Sequence, residues 1–247
     1  MTQDWYFDEK LWKEFYSCMF SPAQFAIAEE QVAQITALLG REPERVLDLA
    51  CGPGRHTLPM LRAGYRVTAV DTSPYLMNEL MNRLDTESLR ADVVHADMRS
   101  FRRERAFDLA VCLWSSFGYF ESADDDRKVL ANVYHSLSDN GQFIIDTVGK
   151  EYMLRQLEPV HVREFDDGAV LFERPRLVNN CSRIINDWTL VRDGKVYRTQ
   201  FSHTVYSAVE LQDRLFEAGF TSVAVYGGLD GCEFDADSDR LVVVAGK

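Results

Sequence analysis

Two glycines and one later carboxylate are the residues of this chain best suited to hold a small ligand. Gly52 and Gly54 follow an apolar run that begins at Val46, and Asp71 ends the next strand-like run, which begins at Arg66. Glycine adopts positive φ at little steric cost and lets a ligand lie against the main chain. A carboxylate at the end of the neighbouring strand can accept hydrogen bonds from both hydroxyls of a ribose. The spacing therefore predicts a pocket for a nucleoside with a free 2′-hydroxyl.

The glycine loop lacks a feature that a dinucleotide requires. In the dinucleotide fingerprint G-x-G-x-x-G, a pyrophosphate lies on the helix N-terminus and a third glycine is needed. Counted from Gly52, that third position is Thr57, and the loop also carries Pro53 and Arg55. The loop is therefore poorly suited to a pyrophosphate, which disfavours a nicotinamide-dependent oxidoreductase.

Four segments follow one another in an order that is typical of one enzyme family. They are VLDLACGPGRHT at 46–57, the strand ending at Asp71, HADM at 95–98 and FDLAVCLWSSFGY at 107–119. Together they closely resemble the class I S-adenosylmethionine-dependent methyltransferases over roughly residues 40 to 147.

The resemblance implies a role for each segment. Asp71 would bind the ribose, Asp97 would bind the adenine amino group beside the apolar Met98, and the fourth strand would end beside the transferring methyl group. The residues expected to bind S-adenosylmethionine are Asp48, Ala50, Cys51, Gly52, Gly54, Asp71, Thr72, Asp97, Met98, Leu113 and Trp114.

The charge of the chain disfavours nucleic acid as a substrate. Its formal net charge is −12, whereas phosphate contacts require clustered lysine and arginine. The short basic cluster at 99–105 is expected to be a solvated loop. DNA is therefore not expected as a partner, and RNA is disfavoured.

The cysteines and the apolar runs indicate in which cellular compartment the protein is expected. The five cysteines are widely spaced and form no C-x-x-C pair, which argues against a disulfide framework and against a metal site. Cys51 is expected to fill space in the loop. No apolar run approaches the roughly 20 residues that span a bilayer. The N-terminal MTQDWYFDEK lacks the basic flank of a signal peptide, so a cytoplasmic protein is expected.

Strand-like and helical runs alternate up to Ile145, which predicts a doubly wound, mostly parallel sheet, seven-stranded as in the family. Beyond Asp146, four strand-like runs are joined by short Asp-Gly and Asn-Asn turns, which predict an inserted antiparallel sheet. We therefore divide the chain into a helical lid (1–40), a cofactor-binding core (41–150), an antiparallel insertion on the substrate side (151–206) and a segment that completes the core sheet (207–247). Edges of the inserted sheet could pair in a homodimer.

The N-terminal segment is strongly aromatic. Trp12 and Tyr16 are four residues apart and share one face of a predicted helix, and a second helix is predicted from Phe25 to Leu39. Two interpretations stay open: a helix packed on the domain, and a lid over cofactor and substrate.

Methyl transfer from a sulfonium is an in-line displacement, so alignment of the two reactants can suffice and a general base is optional. His203, on the insertion, and Asp146, at the end of the fifth strand, are the candidate catalytic residues. The alternatives are that His203 is a cross-strand surface residue and that Asp146 caps a loop.

The segment after the fourth strand bears on the acceptor. Leu113-Trp114-Ser115-Ser116 stands where nucleobase methyltransferases carry N-P-P-Y or D-P-P-Y. The following S-F-G-Y-F is closer to bacterial small-molecule N- and O-methyltransferases. We therefore expect methyl transfer to a small-molecule N or O acceptor. The alternatives are a catalytically silent S-adenosylmethionine-binding protein and an RNA methyltransferase.

Overall fold

A computed structural model describes residues 4–247 of the chain, so the first three residues of the predicted lid lie outside the described residues. After a short 3-10 turn at Trp5–Phe7, the helices are α1 (Glu9–Met19), α2 (Pro22–Ala26), α3 (Ala28–Leu39), α4 (Thr57–Arg62), α5 (Pro74–Glu87), α6 (Ala123–Ser136), α7 (Lys150–Gln156) and α8 (Ala208–Glu217). The strands are β1 (Arg45–Leu49), β2 (Arg66–Asp71), β3 (Asp92–His95), β4 (Phe107–Cys112), β5 (Leu137–Thr147), β6 (His161–Glu164), β7 (Val170–Val178), β8 (Arg183–Arg192), β9 (Lys195–Thr204), β10 (Ser222–Tyr226) and β11 (Leu241–Gly246).

The core is a seven-stranded sheet in the order β10-β11-β5-β4-β1-β2-β3, in which β11 runs antiparallel to both of its neighbours. Successive residues of β1 face opposite layers: Val46 packs against Val32 and Ile35 of α3, whereas Leu47 belongs to the cluster that contains α6 and α8. Because helices cover both faces, the middle of each central strand is mostly apolar, and the charged residues lie mainly at the strand ends. The predicted doubly wound sheet is confirmed.

A second, four-stranded antiparallel sheet, β6-β7-β8-β9, lies in the chain between β5 and α8. Its strands begin and end within one or two residues of the strand-like runs that the sequence predicts at 160–165, 169–177, 182–191 and 196–206. The hairpin turns use positive φ at Gly168, at Asn179 and Asn180, and at Asp193 and Gly194, as short hairpin turns require. The predicted insertion is therefore confirmed.

Two predicted elements differ from the structure. The helix predicted from Phe25 to Leu39 is two helices, because Ser21 and Gln24 form a capping box that begins α2 at Pro22, and the chain turns at Ile27. Strand five is longer than predicted. The sequence predicts a turn at 140–141 followed by a strand at 142–145, whereas β5 begins at Leu137 and includes that turn, where Asn140 has a φ of 61° and the register with β4 shifts.

Within residues 4–247, no helix is both long enough and apolar enough to cross a membrane.

Candidate active site

A cavity of about 540 Å³ lies where the carboxyl ends of β1, β2 and β4 face the antiparallel sheet. Its glycine-loop end is lined by residues of the parallel sheet and its loops: Asp48, Ala50, Cys51, Gly52, Arg55, Asp71, Thr72, Ala96, Asp97, Met98, Leu113 and Trp114. Its antiparallel-sheet end is lined by Glu173, Ile184, Asn186, Trp188, Phe201 and His203. Aromatic residues of the N-terminal segment, Trp5, Tyr6, Trp12 and Phe20, form a third wall.

Asp71 ties the glycine loop to the end of β2. Its carboxylate accepts hydrogen bonds from the backbone N–H groups of Gly52, at 2.8 Å, and of Ser73, at 2.9 Å. Burial raises the pKa of Asp71, and these hydrogen bonds act in the opposite direction. The carboxylate and the loop are therefore held in one fixed arrangement at the wall of the cavity, and each oxygen keeps a lone pair for a further donor.

Of the predicted cofactor-binding residues, Gly54 does not line the cavity. It has a φ of +86°, and a Cβ at this position would collide with Leu80 on α5. Gly54 therefore shapes the turn and packs it against α5 without facing a ligand. Ala50 does line the cavity and has a φ of 59°, a backbone conformation that favours glycine.

Burial raises the pKa values of two further residues that line the cavity near the glycine loop. Asp48 accepts a 2.6 Å hydrogen bond from the Thr57 hydroxyl, and burial raises its pKa to about 6. Burial also raises the pKa of the Cys51 thiol well above its usual value, so this cysteine stays protonated and is a poor nucleophile.

The adenine-side acid predicted from the sequence is fixed by a neighbouring arginine. Asp97 accepts hydrogen bonds from the Arg99 guanidinium, at 2.6 Å, and from the Arg99 backbone N–H, at 2.8 Å. Arg99 also pairs with Asp125 and lies over the Phe120 ring at 4.6 Å. The expectation of a solvated basic loop therefore does not hold for Arg99, which supports the cavity wall.

Asp146 was a candidate for contact with the substrate, but its side chain does not line the cavity. Its side chain is 3% exposed and accepts hydrogen bonds from the backbone N–H of Trp114, at 3.1 Å, and from Arg240, at 2.7 Å. Trp114 and Ser115 both have positive φ, 56° and 61°. Asp146 therefore acts as the predicted alternative, a loop cap, and it holds the strained turn that presents Trp114 to the cavity.

His203 lies on β9 at the antiparallel-sheet end of the cavity. It is 8% exposed, its ring centroid is 4.9 Å from that of Tyr119, and its Nδ1 finds no hydrogen-bond partner within residues 4–247. Burial, with a smaller contribution from Arg183, lowers its pKa to about 4. The imidazole is therefore neutral at pH 7. For a hydroxyl acceptor, the sequence predicts a base that titrates near neutrality, and the low pKa of His203 does not support that role.

Aromatic rings connect the three walls. The Trp5 ring centroid is 4.9 Å from that of Phe201 and 5.0 Å from that of Tyr119, and Trp188 meets Phe201 at 4.9 Å. Leu11 and Phe15 of α1 pack against Leu171 and Leu190 of the antiparallel sheet. The N-terminal segment therefore packs on the domain and also lines the cavity.

Several residues that line the cavity were not predicted from the sequence. Ile184, Asn186 and Trp188 alternate along β8, which is the period of one strand face, so this pattern could have identified them. Arg55 was noted only as unfavourable to a pyrophosphate, and nothing in the sequence indicated that it is buried.

Comparisons with known proteins agree with this site. Residues 46–141, which include the glycine loop, Asp71, Asp97 and Trp114, match a family described as a methyltransferase domain. A glycine/sarcosine N-methyltransferase of Aphanothece halophytica is 27% identical over 207 residues, which cover 83% of this chain and 76% of the relative.

Solved structures share the fold across almost the whole chain. An S-adenosylmethionine-dependent methyltransferase from Clostridium acetobutylicum superposes with a TM-score of 0.78 at 19% identity, covering 96% of this chain and 97% of the other. An S-adenosylmethionine-bound amino pentose methyltransferase from Micromonospora echinaspora has a TM-score of 0.71 at 18% identity, covering 100% and 99%. The fold, the glycine loop beside the buried Asp71 and the family match agree, and the chain is a class I S-adenosylmethionine-dependent methyltransferase.

Proposed function

We propose that the protein methylates the nitrogen of a small amine. The observation that carries this proposal is the neutral, buried His203 beside aromatic rings at the antiparallel-sheet end of the cavity. Two of the similar proteins are named for amine acceptors, a glycine/sarcosine N-methyltransferase and an amino pentose methyltransferase.

The cavity suits an amine because it favours the reactive form of that group. When bound, S-adenosylmethionine supplies an electrophilic methyl group on a sulfonium. An amine attacks only through a free lone pair, and the desolvated surroundings of Trp188, Phe201 and Trp5 lower the pKa of a bound ammonium. The free Nδ1 of His203 can accept a hydrogen bond from the amine N–H and orient the lone pair.

A hydroxyl acceptor fits this site less well. An alcohol is a weak nucleophile unless a base removes its proton in the transition state. With a pKa of about 4, His203 is too weak a base to assist an alcohol effectively. An amine needs no such base, because alignment of the lone pair with the methyl group provides most of the acceleration.

The proposal is tested by initial rates on matched pairs of acceptors. Glycine and glycolate form one pair, and an amino sugar and its hydroxyl counterpart form another. We expect methylation of one of the amines and none of its hydroxyl partner. The rate should rise with pH as the acceptor ammonium loses its proton. A faster rate with the hydroxyl member of each pair would refute N-methylation.

Replacing His203 by leucine should lower kcat/KM for an amine by about fivefold. The change removes one hydrogen bond between neutral groups, which contributes about 1 kcal/mol. The shape of the pH profile should not change, because in this account His203 stays neutral across the range assayed. His135→Leu, on the outward-facing side of α6, is the control. A loss above a hundredfold with an altered pH profile would instead make His203 a general base.

We propose that the N-terminal segment acts as a lid. Glu9 at the start of α1 accepts hydrogen bonds from the Ser73 hydroxyl and from the Tyr75 backbone N–H, both at 2.8 Å. Ser73 in turn donates its backbone N–H to Asp71. This contact fastens α1 beside the ribose-binding acid, while Trp5 and Trp12 cover the cavity.

Glu9→Gln should speed dissociation of S-adenosylhomocysteine roughly three- to tenfold, because weaker hydrogen bonds hold the lid closed. Stopped-flow tryptophan fluorescence measures this rate. Glu14→Gln, on the same helix in a pair with Lys10, should leave this rate unchanged. An equal effect of both variants would mean that Glu9 is not a specific latch.

The partners and the location remain proposals. The net charge of −12 supports a small acceptor over RNA, and a test with tRNA decides this point. The edge strands β6 and β9 are available for pairing in a homodimer. A location in the cytoplasm is supported by the wide spacing of the five cysteines, which form no C-x-x-C pair.

A further inference from the structure

Arg55 is a buried cation at the glycine-loop end of the cavity. Its side chain is 8% exposed, and its guanidinium carbon lies 3.7 Å from the centre of the Trp114 ring. The centre of the Phe20 ring, directly after α1, lies 5.7 Å from the same guanidinium carbon. Stacking against two aromatic rings orients the planar guanidinium and keeps water from its faces.

This guanidinium has no partner among residues 4–247 for its buried Nε and Nη1 atoms. Asp146 and Asp48 are the nearby acids, but Asp146 bonds to Arg240 and to the Trp114 N–H, and Asp48 bonds to Thr57. A buried charge whose donors are unsatisfied is unfavourable, and an anion that enters the cavity would satisfy it.

We propose that Arg55 binds the carboxylate of the methionine part of S-adenosylmethionine. That carboxylate is the one anionic group of the cofactor, and a guanidinium matches its two oxygens with two parallel N–H donors. Arg55 would therefore bind the end of the cofactor opposite the adenine, while Asp71 binds the ribose. The inference rests on the identity of the cofactor and not on the identity of the acceptor.

The position of Arg55 favours the cofactor over the acceptor as the source of the carboxylate. Arg55 lies three residues after Gly52, whose N–H bonds to the ribose-binding Asp71. Its aromatic contacts are Trp114, in the loop after β4, and Phe20, directly after α1. Residues of the antiparallel sheet, which form the other end of the cavity, do not take part in these contacts.

The test compares two ligands that differ in the amino-acid part. S-adenosylhomocysteine carries the carboxylate, whereas 5′-methylthioadenosine has the same nucleoside and no amino-acid group. Calorimetric titration gives both dissociation constants for the wild type and for Arg55→Met. We expect Arg55→Met to raise the dissociation constant of S-adenosylhomocysteine about 10- to 100-fold. The dissociation constant of 5′-methylthioadenosine should change by less than about twofold.

Two further variants make the result specific. Arg62→Met removes an arginine that pairs with Glu29 and Glu87 outside the cavity, and the ratio of the two dissociation constants should stay at its wild-type value. Arg55→Lys keeps the charge but cannot bridge two oxygens. The dissociation constant of 5′-methylthioadenosine divided by that of S-adenosylhomocysteine should therefore fall at least about fivefold. Arg55→Lys provides the test if Arg55→Met does not fold.

The proposal is overturned if the ratio of the two dissociation constants is unchanged in a folded Arg55 variant. It is equally overturned if that variant instead raises KM for glycine and not for an amine without a carboxylate. That result would assign Arg55 to the acceptor.

Discussion

Asp71→Asn is expected to weaken binding of S-adenosylhomocysteine by about 2 to 4 kcal/mol, or roughly 30- to 1000-fold. The substitution removes the charged acceptor for the two ribose hydroxyls. It also weakens the bond that fixes Gly52 to the end of β2. The chain should still fold, because the burial of Asp71 is itself unfavourable to its charge. Calorimetry measures the affinity, and thermal unfolding without ligand measures the stability.

Asp85→Asn is the matched control, since Asp85 lies near the end of α5 in an exposed pair with Arg90. It should leave the affinity unchanged. An Asp71→Asn protein that binds S-adenosylhomocysteine as tightly as the wild type would show that the ribose is held elsewhere.

Gly118→Ala is expected to lower the free energy of unfolding by about 3 to 5 kcal/mol and to abolish most methyl transfer. Gly118 has a φ of +98°, and an added Cβ would lie 2.9 Å from the backbone oxygen of Thr204. The Thr204 N–H also donates to the Gly118 oxygen at 2.8 Å. Because this contact joins the loop after β4 to β9, moving it displaces Tyr119 and His203. Denaturant unfolding and initial rates measure the two effects.

Gly168→Ala is the control that separates two effects of Gly118→Ala: the collision of the new Cβ with Thr204 and the strain of a positive φ. Gly168 also has a positive φ, +79°, but no neighbouring atom lies within 4 Å of the position of an added Cβ. We expect a loss of only about 1 to 2 kcal/mol there, with normal activity. Equal losses in the two variants would mean that the approach of Gly118 to Thr204 does not matter.

The parallel sheet and the cofactor end of the site were predictable because their signals are local. Gly52 follows one strand-like run and Asp71 ends the next, and parallel strands in register bring such ends together. Ser73 before Pro74, and Ser207 three residues before Glu210, are patterns typical of helix starts, and α5 and α8 begin directly after these serines. In each case a short segment determines both the backbone conformation and the position of the side chain.

The roles of Asp146 and His203 depend on residues distant in the sequence. Asp146 ends a strand on the ligand side, but Arg240, far along the chain, neutralises it and turns it into a loop cap. His203 lies on the predicted insertion, yet the low pKa comes from burial by tertiary packing. The buried state of Arg55 has the same origin, because Trp114 and Phe20 come from separate elements. Sequence patterns do not report such neighbours.

A competition experiment tests the central claim most directly. The protein is mixed in one tube with methyl-labelled S-adenosylmethionine, an amine acceptor, its hydroxyl counterpart and total tRNA, and mass spectrometry locates the label. The account predicts that the label enters the amine and is carried on its nitrogen. Label found mainly in tRNA or on the hydroxyl compound would contradict it.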